Sequence, residues 1–296
     1  MQKIRVASRG SKLALTQSKW AINSLSKFTN IPIEIIEITT QGDKGNLSEV
    51  GAFTTAIEQA IINNVADLAI HSYKDLPTES HQNLCIAAIP PREDARDVFI
   101  SDKYTDINQL PDNAVVGTGS PRRIYQLKAL NPNWEVKFIN GNIDTRINKM
   151  QSGIYDAIVL AAAGLHRVNF RHYITQYFEV EEMIPAPAQG ALALQTLKSN
   201  SVLKSLCQNI HCSETELAVN TERQILKDVG GGCKLPIAAH LQINENSFKL
   251  DALFGLNEKQ ELNKIAANGT LAQLNDISKA SINKLKTNTT FTNNGR

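Results

Sequence analysis

The sequence predicts an α/β protein of two like lobes, followed by a small α+β domain at its C-terminal end. Three observations carry that prediction. Strand-like and helix-like segments alternate through about the first two hundred residues, as in proteins with a mainly parallel sheet. The same strand–turn–helix module occurs twice within that stretch. Closely spaced prolines at Pro185 and Pro187 then interrupt the order, and the character of the chain changes beyond about residue 212.

Taken in order, IRVAS (4–8) is the first strand and SKLALTQSKWAINSLSKF (11–28) a helix whose apolar residues recur at helical spacing. IEIIEIT (33–39), FTTAIEQAIINN (53–64) and ADLAIHS (66–72) continue as strand, helix, strand. The second module repeats the sequence of elements: AVVGT (114–118), RRIYQLKAL (122–130), WEVKFI (134–139), DTRINKMQSG (144–153) and DAIVLAA (156–162). ADLAIHSYKDL aligns with YDAIVLAAAGL, and RVASRGSKLAL with VVGTGSPRRIY. The expected lobes are 1–90 and 96–185. PAPAQGALALQ (185–195) reads as a crossover that returns the chain to the first lobe over 191–210. Residues 213–296 give a helix, a Gly-rich turn, two strands (IAAHLQI and FKLDALFGLN) and a last helix (ISKASINKLK), a separate α+β domain with a frayed tail.

Bulk composition bounds the function. At roughly 150 residues per domain, 296 residues that are 42% hydrophobic suit two or three domains with a sizeable core. Thirty-one Lys and Arg against 29 Asp and Glu leave a net charge of +2, so no general field draws the chain to nucleic acid or to a membrane surface. Anion recognition must therefore be local. No stretch approaches the roughly 18 uninterrupted apolar residues of a membrane span, and MQKIRVASRGSKLAL lacks the apolar core of a signal peptide, so the cytoplasm is expected. The four cysteines, Cys85, Cys207, Cys212 and Cys233, are too scattered for a disulfide framework and are read as thiols.

Open α/β sheets bind ligands beyond the carboxyl ends of their strands. That rule selects Ser8–Ser11, Ser72–Asp75, Thr118–Arg123 and Asn140–Arg146. In GTGSPRRIYQL, Thr118, Gly119 and Ser120 form a turn, Pro121 takes a first helical position, and Arg122 and Arg123 fall in the opening turn. The helix dipole disfavours cations there, so an anion drawn to the free N–H groups explains the pair better than stability does. A solvated pair is the alternative. Arg9, Arg146 and Arg167 occupy comparable strand-end positions, and a ligand with several carboxylates fits such guanidinium groups. Phosphate is the competitor, although the chain has no GxxxxGK[ST] loop and no complete GxGxxG.

HSYKDLP places Lys74 and Asp75 directly after an apolar strand. Asp75 reads either as a turn cap or as the lone carboxylate among these cations, able to stabilise a developing positive charge or accept an N–H. Cys233, in GGGCKLP with Lys234 beside it, reads either as an inert buried thiol or as a reactive thiolate on a Gly-rich turn. Cys207, His211 and Cys212 lack a second ligand pair of suitable spacing, and no metal is expected.

With HSYKDLP, GTGSPRR, NGNIDTR, PAPAQGA and GGGCKLPI in this order, the chain resembles the porphobilinogen deaminase (hydroxymethylbilane synthase) family over nearly its whole length. The resemblance implies two lobes forming a clamshell, like type II periplasmic binding proteins, and a third domain carrying the cofactor cysteine. It implies a dipyrromethane primer held by Cys233 through a thioether. Each pyrrole bears an acetate and a propionate. Ser72, Lys74, Thr118, Ser120, Arg122, Arg123 and Arg146 are then implied to bind the primer, and Arg9, Ser11, Arg167 and Gln189 the incoming porphobilinogen or the growing chain. Asp75 is implied to be catalytic in a transferase that joins four porphobilinogen molecules, with loss of ammonia, into hydroxymethylbilane for tetrapyrrole and heme synthesis. The implied enzyme is a cytoplasmic monomer without metal, nucleic acid or membrane partner.

Three features depart from the family pattern. SEVGAFTTAIEQ is shorter than the usual loop and has no lysine, Gln41 replaces a usual arginine, and so does Asn140. The alternative function is a non-enzymatic, two-lobed binder of polycarboxylate pyrroles.

Overall fold

The computed structural model describes residues 2–43, 51–79, 81–230, 235–255 and 261–287. Its strands are β1 (Ile4–Ser8), β2 (Ile33–Glu37), β3 (Leu68–Ser72), β4 (Leu84–Ala88), β5 (Asp97–Ile100), β6 (Val115–Gly117), β7 (Glu135–Lys137), β8 (Ala157–Ala161), β9 (Gln176–Tyr177), β10 (Leu192–Leu197), β11 (Ile237–Asn244), β12 (Ser247–Gly255) and β13 (Leu262–Thr270). The helices are α1 (Lys12–Leu25), α2 (Thr55–Ile62), α3 (Pro121–Leu130), α4 (Ile143–Gln151), α5 (Ala162–Arg167), α6 (Ser201–Gln208), α7 (Ser213–Asp228) and α8 (Leu274–Thr287).

Two compact units divide the chain. Unit 1 comprises Met1–Ala95, Ala162–Arg171 and Gln189–Leu217. Its sheet runs β2-β1-β3-β10-β4, with β1 parallel to β2 and β3, and β10 antiparallel to β3 and β4. Strand alternation divides the core between the two faces of this sheet. Ile4, Val6, Leu68 and Ile70 pack with Leu25 of α1 and Leu203 of α6, whereas Ala7 and Ala69 pack with Ile57 and Ile61 of α2. Covered on both sides, β3 is buried at every position from Leu68 to His71.

Unit 2 comprises Arg96–Ala161, His172–Ala188 and Ala218–Arg296. Its first sheet, β7-β6-β8-β5-β9, repeats the plan of the other unit: β6 lies parallel to β7 and β8, and β5 is antiparallel to β8 and β9. Phe99, Val116, Leu127, Trp134, Val159 and Phe178 form the core there. Its second sheet is the antiparallel β11-β12-β13, whose Leu241, Leu250 and Ala252 pack with Ile225 of α7 and Ile282 and Leu285 of α8.

The module that the sequence repeats is therefore the half-sheet 2-1-3 of unit 1 and 7-6-8 of unit 2. The segment read as a crossover enters the first sheet as β10. The units differ from the expected division: Ala162–Arg171, expected in the second lobe, belong to unit 1, and Ala218–Arg296, expected within a separate domain, group with the second lobe in unit 2.

Candidate active site

Parallel strands bring their C-terminal ends to one sheet edge. In unit 1 that edge carries the turns after β1 and β3, hence Arg9 and Ser11 beside Ser72, Lys74 and Asp75. In unit 2 it carries the turns after β6 and β7, hence Thr118, Ser120, Arg122 and Arg123 beside Asn140 and Arg146.

Asp75 ends a short 3-10 turn, Tyr73–Asp75, that follows β3 directly. Its carboxylate is exposed and makes no hydrogen bond or ion pair with a described residue. The neighbouring Lys74 Nζ donates to Gln189 Oε1 at 3.2 Å. Gln17 Nε2 donates to Ser72 Oγ at 2.9 Å, which fixes that hydroxyl at the strand end. Gln189, which the resemblance places at the substrate, is fully buried: its side-chain Nε2 donates to Ala95 O at 2.7 Å while its Oε1 takes the Lys74 bond, and its main-chain carbonyl accepts from Arg92 Nε at 2.7 Å. With both ends of its amide engaged inside unit 1, Gln189 holds Lys74 in place.

Two further arginines of unit 1 are braced by the protein itself. Arg9 Nε donates to Asp43 Oδ1 at 3.0 Å, and its guanidinium lies 4.0 Å from the centre of the Phe53 ring. Burial alone would raise the Asp43 carboxyl, but bonds from Arg9 and Thr40 hold it below the usual range. Arg167 Nη2 donates to Gly190 O at 2.6 Å. Burial lowers the Arg167 pKa to about 10, partly offset by Glu93, which is itself bonded to His166 Nδ1 at 2.9 Å. Ser11 is the N-cap of α1 and accepts from Ala14 N at 3.3 Å, a role that its residue type explains without a ligand.

In unit 2 the arginine pair has an internal counter-ion that the sequence reading did not single out. Asp97, at the head of β5 and 0% exposed, accepts from Arg122 Nη1 at 2.6 Å and Arg123 Nη2 at 2.7 Å. Burial opposes ionisation of Asp97, yet the two guanidinium groups hold it well below the ordinary carboxylate range. Arg122 Nη1 also donates to Ile184 O, and Arg123 Nη1 to Val159 O. Each arginine keeps a buried Nε–H without a partner among the described residues. Thr118 is buried, and its Oγ1 accepts from Ser120 N at 3.3 Å. Ser120, at the N-cap of α3, makes no side-chain cap bond.

Arg146 stands apart. It is half-buried, its Nε donates to Gly141 O at 2.7 Å, and no described carboxylate meets it. Burial first, and the charge of Arg123 second, lower its pKa to about 10. A desolvated guanidinium beside a like charge fits a bound anion better than it fits a stability role.

Asp75 is therefore not the lone carboxylate among the cations, because Asp43 pairs with Arg9, Glu93 acts on Arg167 through its charge, and Asp97 serves both Arg122 and Arg123. What sets it apart is exposure without a partner among the described residues. Cys233 and Lys234 lie outside the described residues.

Comparison with known proteins decides the family. A family model described as "Porphobilinogen deaminase, dipyromethane cofactor binding domain" matches residues 4–205, and one described as "Porphobilinogen deaminase, C-terminal domain" matches 216–287. The chain belongs to the porphobilinogen deaminase family. Relatives named porphobilinogen deaminase include that of Francisella tularensis subsp. holarctica, 39% identical over 270 residues (89% of this chain, 90% of the relative). That of Brevibacillus brevis is 40% identical over 277 residues (91% and 90%). Among solved structures, a putative methionine-binding lipoprotein from Bacillus subtilis aligns with a TM-score of 0.46 at 13% identity, covering 72% of this chain and 92% of its own.

The donor set suits the dipyrromethane of this family. The uncompensated Arg146, the unpartnered Nε–H groups of Arg122 and Arg123 and the uncapped Ser120 offer cations and hydrogen-bond donors to a group bearing several carboxylates. Among the described residues no set of three or more His, Cys, Asp or Glu is placed to hold a metal ion, and no helix is long and apolar enough to cross a membrane. A separate cavity of about 270 Å³ in unit 2, lined by Leu110, Trp134 and Phe178 among others, contains none of the expected site residues.

Proposed function

We propose that this protein condenses four porphobilinogen molecules, with release of four ammonia, onto a dipyrromethane held by Cys233, and that water then cleaves the bond to this retained primer to free hydroxymethylbilane. When bound, dipyrromethane supplies a pyrrole α-carbon as the nucleophile and a tether to the protein. The observation that carries the reading is Asp75, an exposed carboxylate without a described partner, beside Lys74 at the end of β3 in a chain of this family.

The side chains divide the work by charge. Arg122, Arg123 and Arg146, with Thr118, Ser120, Ser72 and Lys74, neutralise the acetates and propionates of bound pyrroles. Arg9 and Arg167 orient the incoming porphobilinogen, Ser11 holds the start of α1 behind Arg9, and Gln189 acts through Lys74. Asp75 accepts the pyrrole N–H of the substrate. As the C–N bond breaks, its electron pair leaves with ammonia and positive charge spreads over the ring. The Asp75 carboxylate offsets that charge where it develops. After the new carbon–carbon bond forms, Asp75 assists removal of the proton displaced from the attacking carbon. The same reading assigns the enzyme to the cytoplasm as a monomer.

The test is to supply porphobilinogen and look for uroporphyrin I after acid and air oxidation. Pigment from wild type and nearly none from Asp75→Asn supports the enzyme. Binding of porphobilinogen without pigment from wild type would establish the non-enzymatic binder instead.

A further inference from the structure

An asparagine side chain loses its amide when the next backbone nitrogen reaches its carbonyl carbon, and a glycine in that next position removes the Cβ that would block the approach. The chain has three Asn-Gly pairs: Asn140–Gly141, Asn268–Gly269 and Asn294–Gly295, the last outside the described residues. Asn140 and Asn268 are both exposed, so exposure does not separate them. Their backbones do. Asn268 and Gly269 belong to β13, where they lie opposite Lys249 and Phe248 of β12 in a regular antiparallel ladder that holds the main chain extended. Asn140 and Gly141 lie in the turn between β7 and α4. Gly141 has φ +107°, a conformation that disfavours a side chain, and its N–H makes no hydrogen bond with a described residue.

The ammonium of Lys149 sets this turn apart further. Lys149 belongs to the last turn of α4, but its side chain runs back along the helix, and Nζ donates to Asn140 Oδ1 at 2.9 Å and to Asn140 O at 3.2 Å. These are the two carbonyl groups on which amide loss would build negative charge. Asn140 Oδ1 takes the charge when the Gly141 nitrogen attacks Cγ. Asn140 O belongs to the peptide group of that same nitrogen, and takes the charge when its N–H is lost. A cation seated on both oxygens lowers the barrier at each stage. No described carboxylate bonds to Lys149 to offset it.

We propose that Asn140 is a site of spontaneous deamidation, promoted by Lys149. The Gly141 nitrogen gives its proton to solvent and bonds to Asn140 Cγ. The Cγ–Nδ2 bond then breaks, its electron pair leaves with a proton as ammonia, and a succinimide ring closes. Water adds to either carbonyl of the ring, and opening gives aspartate or isoaspartate at 140. One water is consumed and one ammonia released, with no oxidant and no second enzyme. Aspartate puts a carboxylate where Lys149 already donates, whereas isoaspartate lengthens the main chain by one carbon just ahead of α4. The reaction is independent of the pyrrole chemistry proposed above.

The test holds the purified full-length protein at neutral pH over days and follows each asparagine by peptide mass mapping, with fragmentation that separates aspartate from isoaspartate. Asn140 converts on the order of tenfold faster than Asn268 in the same sample. Lys149→Met slows Asn140 on the order of tenfold, the share of one charge-assisted hydrogen bond, and leaves Asn268 unchanged. Lys149→Arg keeps Asn140 fast. Asn268 doubles as the folding control, since a variant that unfolds speeds its conversion too; in that event Lys149→Gln, which keeps a donor without the charge, replaces Lys149→Met and shows the slowing. An Asn140 that converts no faster than Asn268 in wild type overturns the site. An Asn140 that converts as fast as wild type in a folded variant without the ammonium overturns the part assigned to Lys149.

Discussion

Removal of the Asp97 carboxylate leaves two buried guanidinium groups with no counter-ion among the described residues. Asp97 is 0% exposed, and its two oxygens accept from Arg122 and Arg123 at 2.6 and 2.7 Å. Breaking a buried pair from one side costs about 3–5 kcal/mol, because the charges left behind stay desolvated. Here both arginines are nearly buried and already carry an unpartnered Nε–H, so little solvent screening reduces the figure. At about 2–4 °C per kcal/mol, Asp97→Ala should lower the melting temperature by roughly 6–20 °C. Differential scanning calorimetry at pH 7 measures it. The loss should persist in high salt, since screening acts weakly on buried pairs. The pH dependence has a definite sign. The folded pKa of Asp97 is depressed, so its contribution is present above the unfolded carboxylate value and lost only as pH falls through the lower, folded one. The gap between wild type and variant should therefore stay constant from about pH 5 to 8 and close only in stronger acid. A melting temperature within about 2 °C of wild type would refute the energetic account of the pair.

Three other outcomes follow from the same geometry. His71 is fully buried beside Gln195, and burial lowers its pKa from 6.5 to about 4. The unfolded chain therefore binds the proton more readily in that window, and about 3 kcal/mol of stability should be lost as pH falls from 6.5 to 4; a pH series of urea melts in which His71→Gln keeps the wild-type slope contradicts this. Gly190 has φ +88°, and a Cβ there would stand 2.3 Å from Glu93 O. Gly190→Ala should cost about 2–4 kcal/mol and loosen Arg167, seen as a lower melting temperature with a higher KM; an unchanged melt counts against it. Ser11→Ala removes the N-cap of α1 and should cost about 1 kcal/mol; if KM shifts and stability does not, the hydroxyl serves substrate rather than the helix.

Much of the fold was legible because strand ends and helix starts are marked locally. The repeat of strand, small-residue turn and helix around Ser8–Ser11 and Thr118–Arg123 corresponds to two sheets with the same inner order. The strands that escaped notice are of other kinds. β4, β5 and β9 are short and antiparallel to their neighbours, and β13 mixes Asn, Lys and Gly into an exposed alternation whose pairing with β12 becomes apparent only in three dimensions. The position of Lys74 and Asp75 directly after β3 was readable from the apolar run before them. Asp97 was not, since its partners lie 25 and 26 residues away. The available signal was an acid opening the fully buried strand DVFI, because such an acid requires a cation. Gln189 was expected at the substrate, but its burial is a tertiary property that residue type does not convey. Asn140, read as a lost cation, holds Lys149 from nine residues along the chain.

The central claim, a primer tethered at Cys233, is tested most directly by the intact mass of the purified, folded protein. The account predicts a covalent increment equal to dipyrromethane in wild type and in Asp75→Asn, and none in Cys233→Ser. A folded wild type at its unmodified mass contradicts it.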